Sequence, residues 1–245
     1  MTVDTKRVSN QEVIPLLENE TVFSDNPEAR FALGFISHDA QHTSDLDELF
    51  RAYLKLRANV YIDQANLLDE SYRRDDGTEV DDDDRRASHI VALENRLSHV
   101  AIVGSMRVIK KSEQHGSPLP YEQTFAQEVP VGGDEISRYI NRIDDRHDAA
   151  EVRTGLFVAA LALIHSQNMS PTVAIVEPVL ESRLQRGGVP LIRSAEPQMI
   201  EKYGDLNVGI TIDTAGLIEA LGGPEVIKSV NTEPGQFVYW GQVQR

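Results

Sequence analysis

The chain has 245 residues, 40% of them hydrophobic, enough for one large domain or two small ones around a sizeable core. A net charge of −15 works against nucleic-acid binding, because phosphate repels such a surface unless basic residues cluster tightly, and no such cluster is visible. The absence of cysteine excludes disulfides, Cys-ligated zinc and thiol catalysis, and no apolar run has the length of a membrane span.

Residues 1–27 show no sustained period and read as a loose extension. Met1–Glu20 lacks the apolar core of a signal peptide, so a cytosolic protein is expected. Ala29–Ile36 reads as a first strand. Asp45 introduces a helical stretch with Leu46, Leu49, Phe50, Tyr53, Leu54, Val60 and Tyr61 at helical spacing. Arg57 falls on that same face, where a guanidinium must meet an anion or carry its head out to water. Leu67–Ser88 is dense in charge, and composition alone makes it a solvated, mobile loop. A calcium loop fits poorly, because Tyr72 stands where the first ligand belongs.

His89–Leu93 and Val100–Ile109 are apolar and rich in β-branched residues, and predict an antiparallel hairpin with Arg107 inside its second strand. A short helix over Tyr121–Gln127 and a strand over Asp134–Asn141 follow. Glu151–Gln167 is apolar nearly all round, which predicts a helix packed on both sides. Then come a strand over Thr172–Val176, a helix over Val179–Arg186 ended by Gly187-Gly188, a strand over Val208–Ile212 and a short helix over Leu217–Leu221. No linker divides the chain. The expectation is one α/β domain with a mixed sheet over residues 28–222, and a C-terminal tail over 223–245.

Four segments carry candidate chemistry: Arg57…Tyr61, Glu79-x-Asp81-x-x-Asp84, Gly104-x-x-Arg107 and Glu135-x-Ser137-Arg138-Tyr139. An arginine inside an apolar strand, such as Arg107, needs a partner. Regular pleating puts Glu135, Ser137 and Tyr139 on one face of their strand and Ile136, Arg138 and Ile140 on the other, unless a bulge intervenes. A partly buried carboxylate such as Glu135 can deprotonate an amine directly or through water; it can equally be half of a structural Glu–Arg pair. His-Glu-x-x-His, Gly-x-Ser-x-Gly and Walker patterns are missing and the seven histidines are scattered, so no metal site is expected.

In order and spacing, these segments resemble those of the acyl-homoserine-lactone synthases, over roughly residues 29–215. The resemblance implies a GCN5-related N-acetyltransferase-like fold: a twisted mixed sheet with helices on both faces, splayed to admit an acyl chain. It also implies a bulge in the Glu135–Tyr139 strand whose N–H faces a thioester carbonyl. In catalytic roles it places Glu135 and Arg138. In substrate binding it places Arg57, Tyr61, Asp81, Asp84, Arg107, Ser137 and Tyr139, with the two aspartates and two arginines forming a charge network around S-adenosylmethionine. An anionic pocket would suit the sulfonium. Glu79 matches the pattern and is given no role. No cofactor is implied; the substrates are S-adenosylmethionine and an acyl thioester.

The chain departs from the family at Tyr61 and Tyr139, where Phe is usual, and at Leu67, where Trp is usual; its single Trp240 lies outside the matched region. It also lacks a glycine run between Asn141 and Glu151, so few free N–H groups could gather round the pyrophosphate of CoA. That favours an acyl carrier protein as donor, docked on a local basic patch from Arg183, Arg186 and Arg193 or from Lys110 and Lys111. Three readings follow: an acyl-homoserine-lactone synthase, an N-acyl amino acid synthase, and a catalytically silent interaction protein of the same fold. The last predicts an exposed Glu135 and no tunnel.

Overall fold

A computed structural model describes residues 22–23, 25–37, 44–96, 99–111, 117–166 and 171–239. Its frame is a sheet of eight strands: β1 (Phe31–Ser37), β2 (Ala87–Arg96), β3 (His99–Lys110), β4 (Asp134–Asn141), β5 (Thr172–Val176), β6 (Leu191–Ile200), β7 (Asp205–Ile212) and β8 (Phe237–Tyr239). They lie in the order β6-β7-β5-β4-β3-β2-β1-β8. Every pairing is antiparallel except β4 with β5. That parallel pairing is short: Asp134↔Thr172, Glu135↔Val173 and Ile136↔Ala174, after which the register ends although both strands continue.

Helices cover both faces, as expected. On one face α1 (Ser44–Ala58) packs Leu46, Leu49, Tyr53 and Leu56 with Ile36, Val91 and Leu93 of the sheet. It runs on as a π-helical segment, Asn59–Gln64. On the other face α3 (Arg146–Ser166) forms the main core with Ile136, Ala174 and Ile210, beneath α5 (Thr214–Ala220) and α6 (Pro224–Lys228). By length and composition α3 could cross a membrane, but most of its side chains from Val152 to Ile164 are buried in this core. Two short helices, α2 (Pro120–Phe125) and α4 (Pro178–Arg186), flank the β4–β5 region.

Two expectations need correction. Leu67–Ser88 is not a solvated loop: Thr78, Glu79 and Asp84 are buried, and Asp82–Arg86 forms a 3-10 helix. Residues 223–239 are not a free tail: Ile227 and Val238 enter the main core and β8 pairs with β1. At the other end, Val22 and Phe23 are buried beside Tyr239, whose hydroxyl donates to the Val22 carbonyl. Residues 1–21 and 24 of the predicted extension, and Trp240, lie outside the described residues.

Candidate active site

The acidic segment is buried because it caps and pairs at once. Asp81 is the N-cap of the 3-10 helix: its carboxylate accepts from the Asp83 N–H at 3.1 Å, while Asp84 accepts from the Asp81 N–H at 2.8 Å. The carboxylates of Glu79, Asp81 and Asp84 also face three arginines. Arg57 meets Glu79 at 2.5 Å and Asp84 at 2.6 Å. Arg107 meets Asp84 at 2.8 Å and Asp81 at 2.6 Å. Arg138 meets Asp81 at 3.0 Å and Glu79 at 2.8 Å. The six groups close an alternating ring, Arg57–Glu79–Arg138–Asp81–Arg107–Asp84, with no net charge.

The predicted network therefore exists, with two corrections. Arg57 pairs with Asp84 and Glu79, not with Asp81, and Glu79, given no role from sequence, bridges Arg57 to Arg138. Burial opposes ionisation of these carboxylates, but the flanking guanidiniums prevail. They hold Glu79 and Asp84 below their ordinary values and bring Asp81 to about 2. The ring itself offers a sulfonium no net negative charge, because each of its carboxylates is matched by an arginine.

The strand β4 carries the predicted bulge. Against β3 its register runs Ile140↔Ser105 and then Ser137↔Arg107, so Arg138 and Tyr139 together oppose Met106. Arg138 takes a left-handed conformation, φ 52°. The extra residue resets the pleat. Ser137 and Arg138 both turn to the charge ring, Ser137 accepting from Arg107 Nε at 3.0 Å. Tyr139 turns to the opposite core, against Phe157. The grouping of Glu135, Ser137 and Tyr139 on one face is thus overturned. Side-chain donors hold the bulge carbonyls: Tyr61 Oη to Tyr139 at 3.0 Å and Ser105 Oγ to Arg138 at 3.3 Å. Tyr61→Phe removes one of these bonds and is expected to cost about 0.5–1.5 kcal/mol, read as a lower urea midpoint at unchanged slope.

Glu135 lies outside the ring. It is 2% exposed, accepts the Tyr121 N–H at 2.7 Å, and forms no ion pair among the described residues. The structural Glu–Arg pair is therefore excluded, since Arg138 is held by Glu79 and Asp81 instead. Burial raises the Glu135 pKa to about 8, against the lowering effect of the Tyr121 N–H. Tyr121 was not singled out from sequence, and its contribution is a backbone group at the start of α2.

Where β4 and β5 part, a cavity of about 860 Å³ opens. Its lining combines the polar side chains of Glu135, Ser137, Arg138, Tyr61, Tyr139 and Tyr203 with the apolar ones of Leu180, Leu184, Ile210, Ile212, Leu217 and Leu221. Arg153, Arg183 and Arg186 also border it. Two of the other basic candidates are engaged: Arg193 with Glu181, and Lys111 with Glu122. The start of α3 offers no anion cradle, because Asp145 Oδ1 already accepts the N–H groups of His147 and Asp148.

No protein-family model matches this sequence, and no curated protein matches it. Solved structures do. TofI in a ternary complex with an inhibitor and MTA superposes with a TM-score of 0.60 at 20% identity, over 79% of this chain and 99% of that one. A CoA-dependent acyl-homoserine lactone synthase, BjaI, with SAM and isopentyl-CoA, gives 0.58 at 22% identity, over 79% and 90%. The acyl-homoserine lactone synthase LasI gives 0.58 at 16% identity, over 80% and 96%. At such identities the likeness is one of architecture, and by it this chain has the fold of the acyl-homoserine lactone synthases.

Proposed function

We propose that the chain is an N-acyltransferase that moves a fatty acyl group from an acyl carrier protein thioester to an amine, S-adenosylmethionine, to form an acyl-homoserine lactone. The observation that carries this reading is Glu135: a buried carboxyl whose pKa burial raises to about 8, without an ion pair among the described residues, on the wall of a cavity lined by both polar and apolar side chains. In this reading Glu135 takes a proton from the amine, directly or through water, and the amine nitrogen attacks the thioester carbonyl. The C–N bond forms, the C–S bond breaks, and the thiolate leaves to be protonated. The β4 backbone beyond Ile136, released from β5, supplies N–H groups for the oxyanion, and Arg138 holds the bulge in place against the ring. The acceptor's carboxylate oxygen then attacks its own γ-carbon, displacing methylthioadenosine as the lactone closes.

A silent interaction protein predicts an exposed Glu135 and no tunnel, and both features run the other way. A free amino acid as acceptor is the second reading. It is favoured by the neutrality of the ring, which gives a sulfonium no net anionic partner. Mass spectrometry of organic extracts from cells expressing the chain tests all three. A lactone head group supports the first reading, an acyl amino acid the second, and no new lipid overturns acyl transfer.

The occupied start of α3 supports the choice of donor. With Asp145 on its first N–H groups, a pyrophosphate has no cradle there, whereas a carrier-borne thioester needs none. Purified protein is expected to show a clearly higher kcat/KM with acyl carrier protein thioesters than with acyl-CoA; equal values refute the assignment. Rates with the carrier should fall as salt rises, and Arg183→Ala with Arg186→Ala should flatten that dependence.

A further inference from the structure

The sheet divides the cavity, and the charges that line it sort to its two faces. Alternation along β5 sets the division. Ala174 and Val176 enter the main core with α3, whereas Val173 and Ile175 pack with Tyr121 and Phe125 of α2. Glu135, bonded to the Tyr121 N–H, belongs to the α2 face. Arg153, Arg183 and Arg186, which line the cavity and join no ion pair among the described residues, stand on α3 and α4, and α4 packs its Leu180 and Leu184 against the main core.

Glu177 continues the alternation. It follows Val176 in extended conformation, φ −66° and ψ 147°, and so has the parity of Val173 and Ile175 and the face of Glu135. Among the described residues that line the cavity, it is the only carboxylate besides Glu135. It is half-buried, and although it holds the N-cap position of α4 its carboxylate does not cap the helix. No ion pair among the described residues engages it. Asn207 lies beside it, one residue beyond the Val176↔Val208 pair, and donates from Nδ2 to the Asp205 carbonyl at 3.1 Å. Register separates the two cavity carboxylates. Glu135 pairs with Val173, and Glu177 lies further along β5 by roughly 13 Å of strand. A single amine cannot touch both. An acceptor that presents its amine to Glu135 meets Glu177 with another part of the molecule, and a cation there supplies the partner that Glu177 lacks. The charge ring, being neutral, has no such anion to offer.

We infer that Glu177 is the anionic contact for a second positive charge on the acceptor, set apart from the amine that is acylated, and so a specificity-determining residue. For S-adenosylmethionine that charge is the sulfonium. This rests on the acyl-transfer reading above. The experiment compares S-adenosylmethionine with its neutral thioether counterpart, S-adenosylhomocysteine, on the full chain, for the wild type, E177Q and E177D. Both acceptors carry the same amine and carboxylate and differ only in the methyl group and charge at sulfur. In steady-state acylation, E177Q should raise KM for S-adenosylmethionine roughly 10-fold or more with kcat little changed, as for loss of a partly desolvated charge contact. It should leave KM for the thioether unaltered, and E177D should restore most of the loss. Calorimetry of the two nucleosides without an acyl donor should show the same contrast in Kd. Unchanged KM and Kd in E177Q, or equal rises for both acceptors, overturn the assignment while acyl transfer stands. Absence of acylation by the wild type with the Kd contrast intact overturns the acyl-transfer reading and leaves the cation contact; absence of both overturns both.

Discussion

Glu135→Gln is expected to lower kcat by about 10²- to 10⁴-fold, the range over which a positioned general base acts. Glutamine keeps the size of the side chain and an oxygen for the Tyr121 N–H, so the fold around α2 stays intact and only the proton acceptor is lost. The pH profile adds a second readout. With a pKa near 8, the wild-type base is mostly protonated at pH 7, and turnover should climb as pH rises through about 8. In the variant the residual rate should follow the titration of the amine itself and recover in part at higher pH. Stability should move the other way. The folded state holds this proton well above the ordinary carboxyl range, so the wild type loses stability as pH rises from about 4.5 through about 8. The variant lacks that loss, and its melting temperature relative to wild type should rise across the window. Near-normal turnover by Glu135→Gln would remove this residue from the mechanism.

Asp84→Asn should destabilise the protein by about 3–5 kcal/mol, the usual consequence of removing one member of a buried charge pair. Asp84 is bound by Arg57 and Arg107 and also caps Asp81, so its neutralisation leaves two buried guanidiniums with too few anions. Asp82→Asn, an exposed neighbour in the same acidic run, should stay within about 0.5 kcal/mol. Urea midpoints at constant slope distinguish the two. A cycle of Arg57→Met with Asp84→Asn should show a coupling on the order of 1 kcal/mol or more, whereas strict additivity would mean that the ring does not act as a unit. The pH sign is opposite to that of Glu135. The ring depresses its carboxylates, so its contribution is complete above the ordinary carboxyl range and fades as pH falls towards about 2, where Asp81 titrates. Asp84→Asn should soften that acid limb. Activity should fall as well, because the same ring holds Arg138 and Ser137 behind the bulge.

Local pattern was enough for the strands over His89–Leu93, Val100–Ile109, Asp134–Asn141 and Thr172–Val176 and for the long buried helix, because alternation and helical period record which face is covered. It was not enough for β6. That strand lies at the edge of the sheet with Ile192, Glu196 and Met199 exposed and Pro197 tolerated within it, so it carries no clean period. Residue identity also named Arg57, Arg107 and Glu135 as candidates, and the resemblance added Asp81 and Asp84. What the sequence could not decide was their charge balance. Glu79, Asp81 and Asp84 look solvated in any local window, and they are buried only because arginines from α1, β3 and β4 converge on them across 22 to 59 residues of chain. The resemblance led to the expectation of a bulge, but only the tertiary register placed it at Arg138 and Tyr139 and thereby sent those two side chains to opposite sides. The cavity likewise opens where β4 and β5 part after three pairs, and Tyr203, in the turn after the edge strand β6, joins its lining. Secondary structure follows from neighbours along the chain, whereas burial of charge, strand parity and the shape of a cavity depend on groups that meet only once the chain has folded.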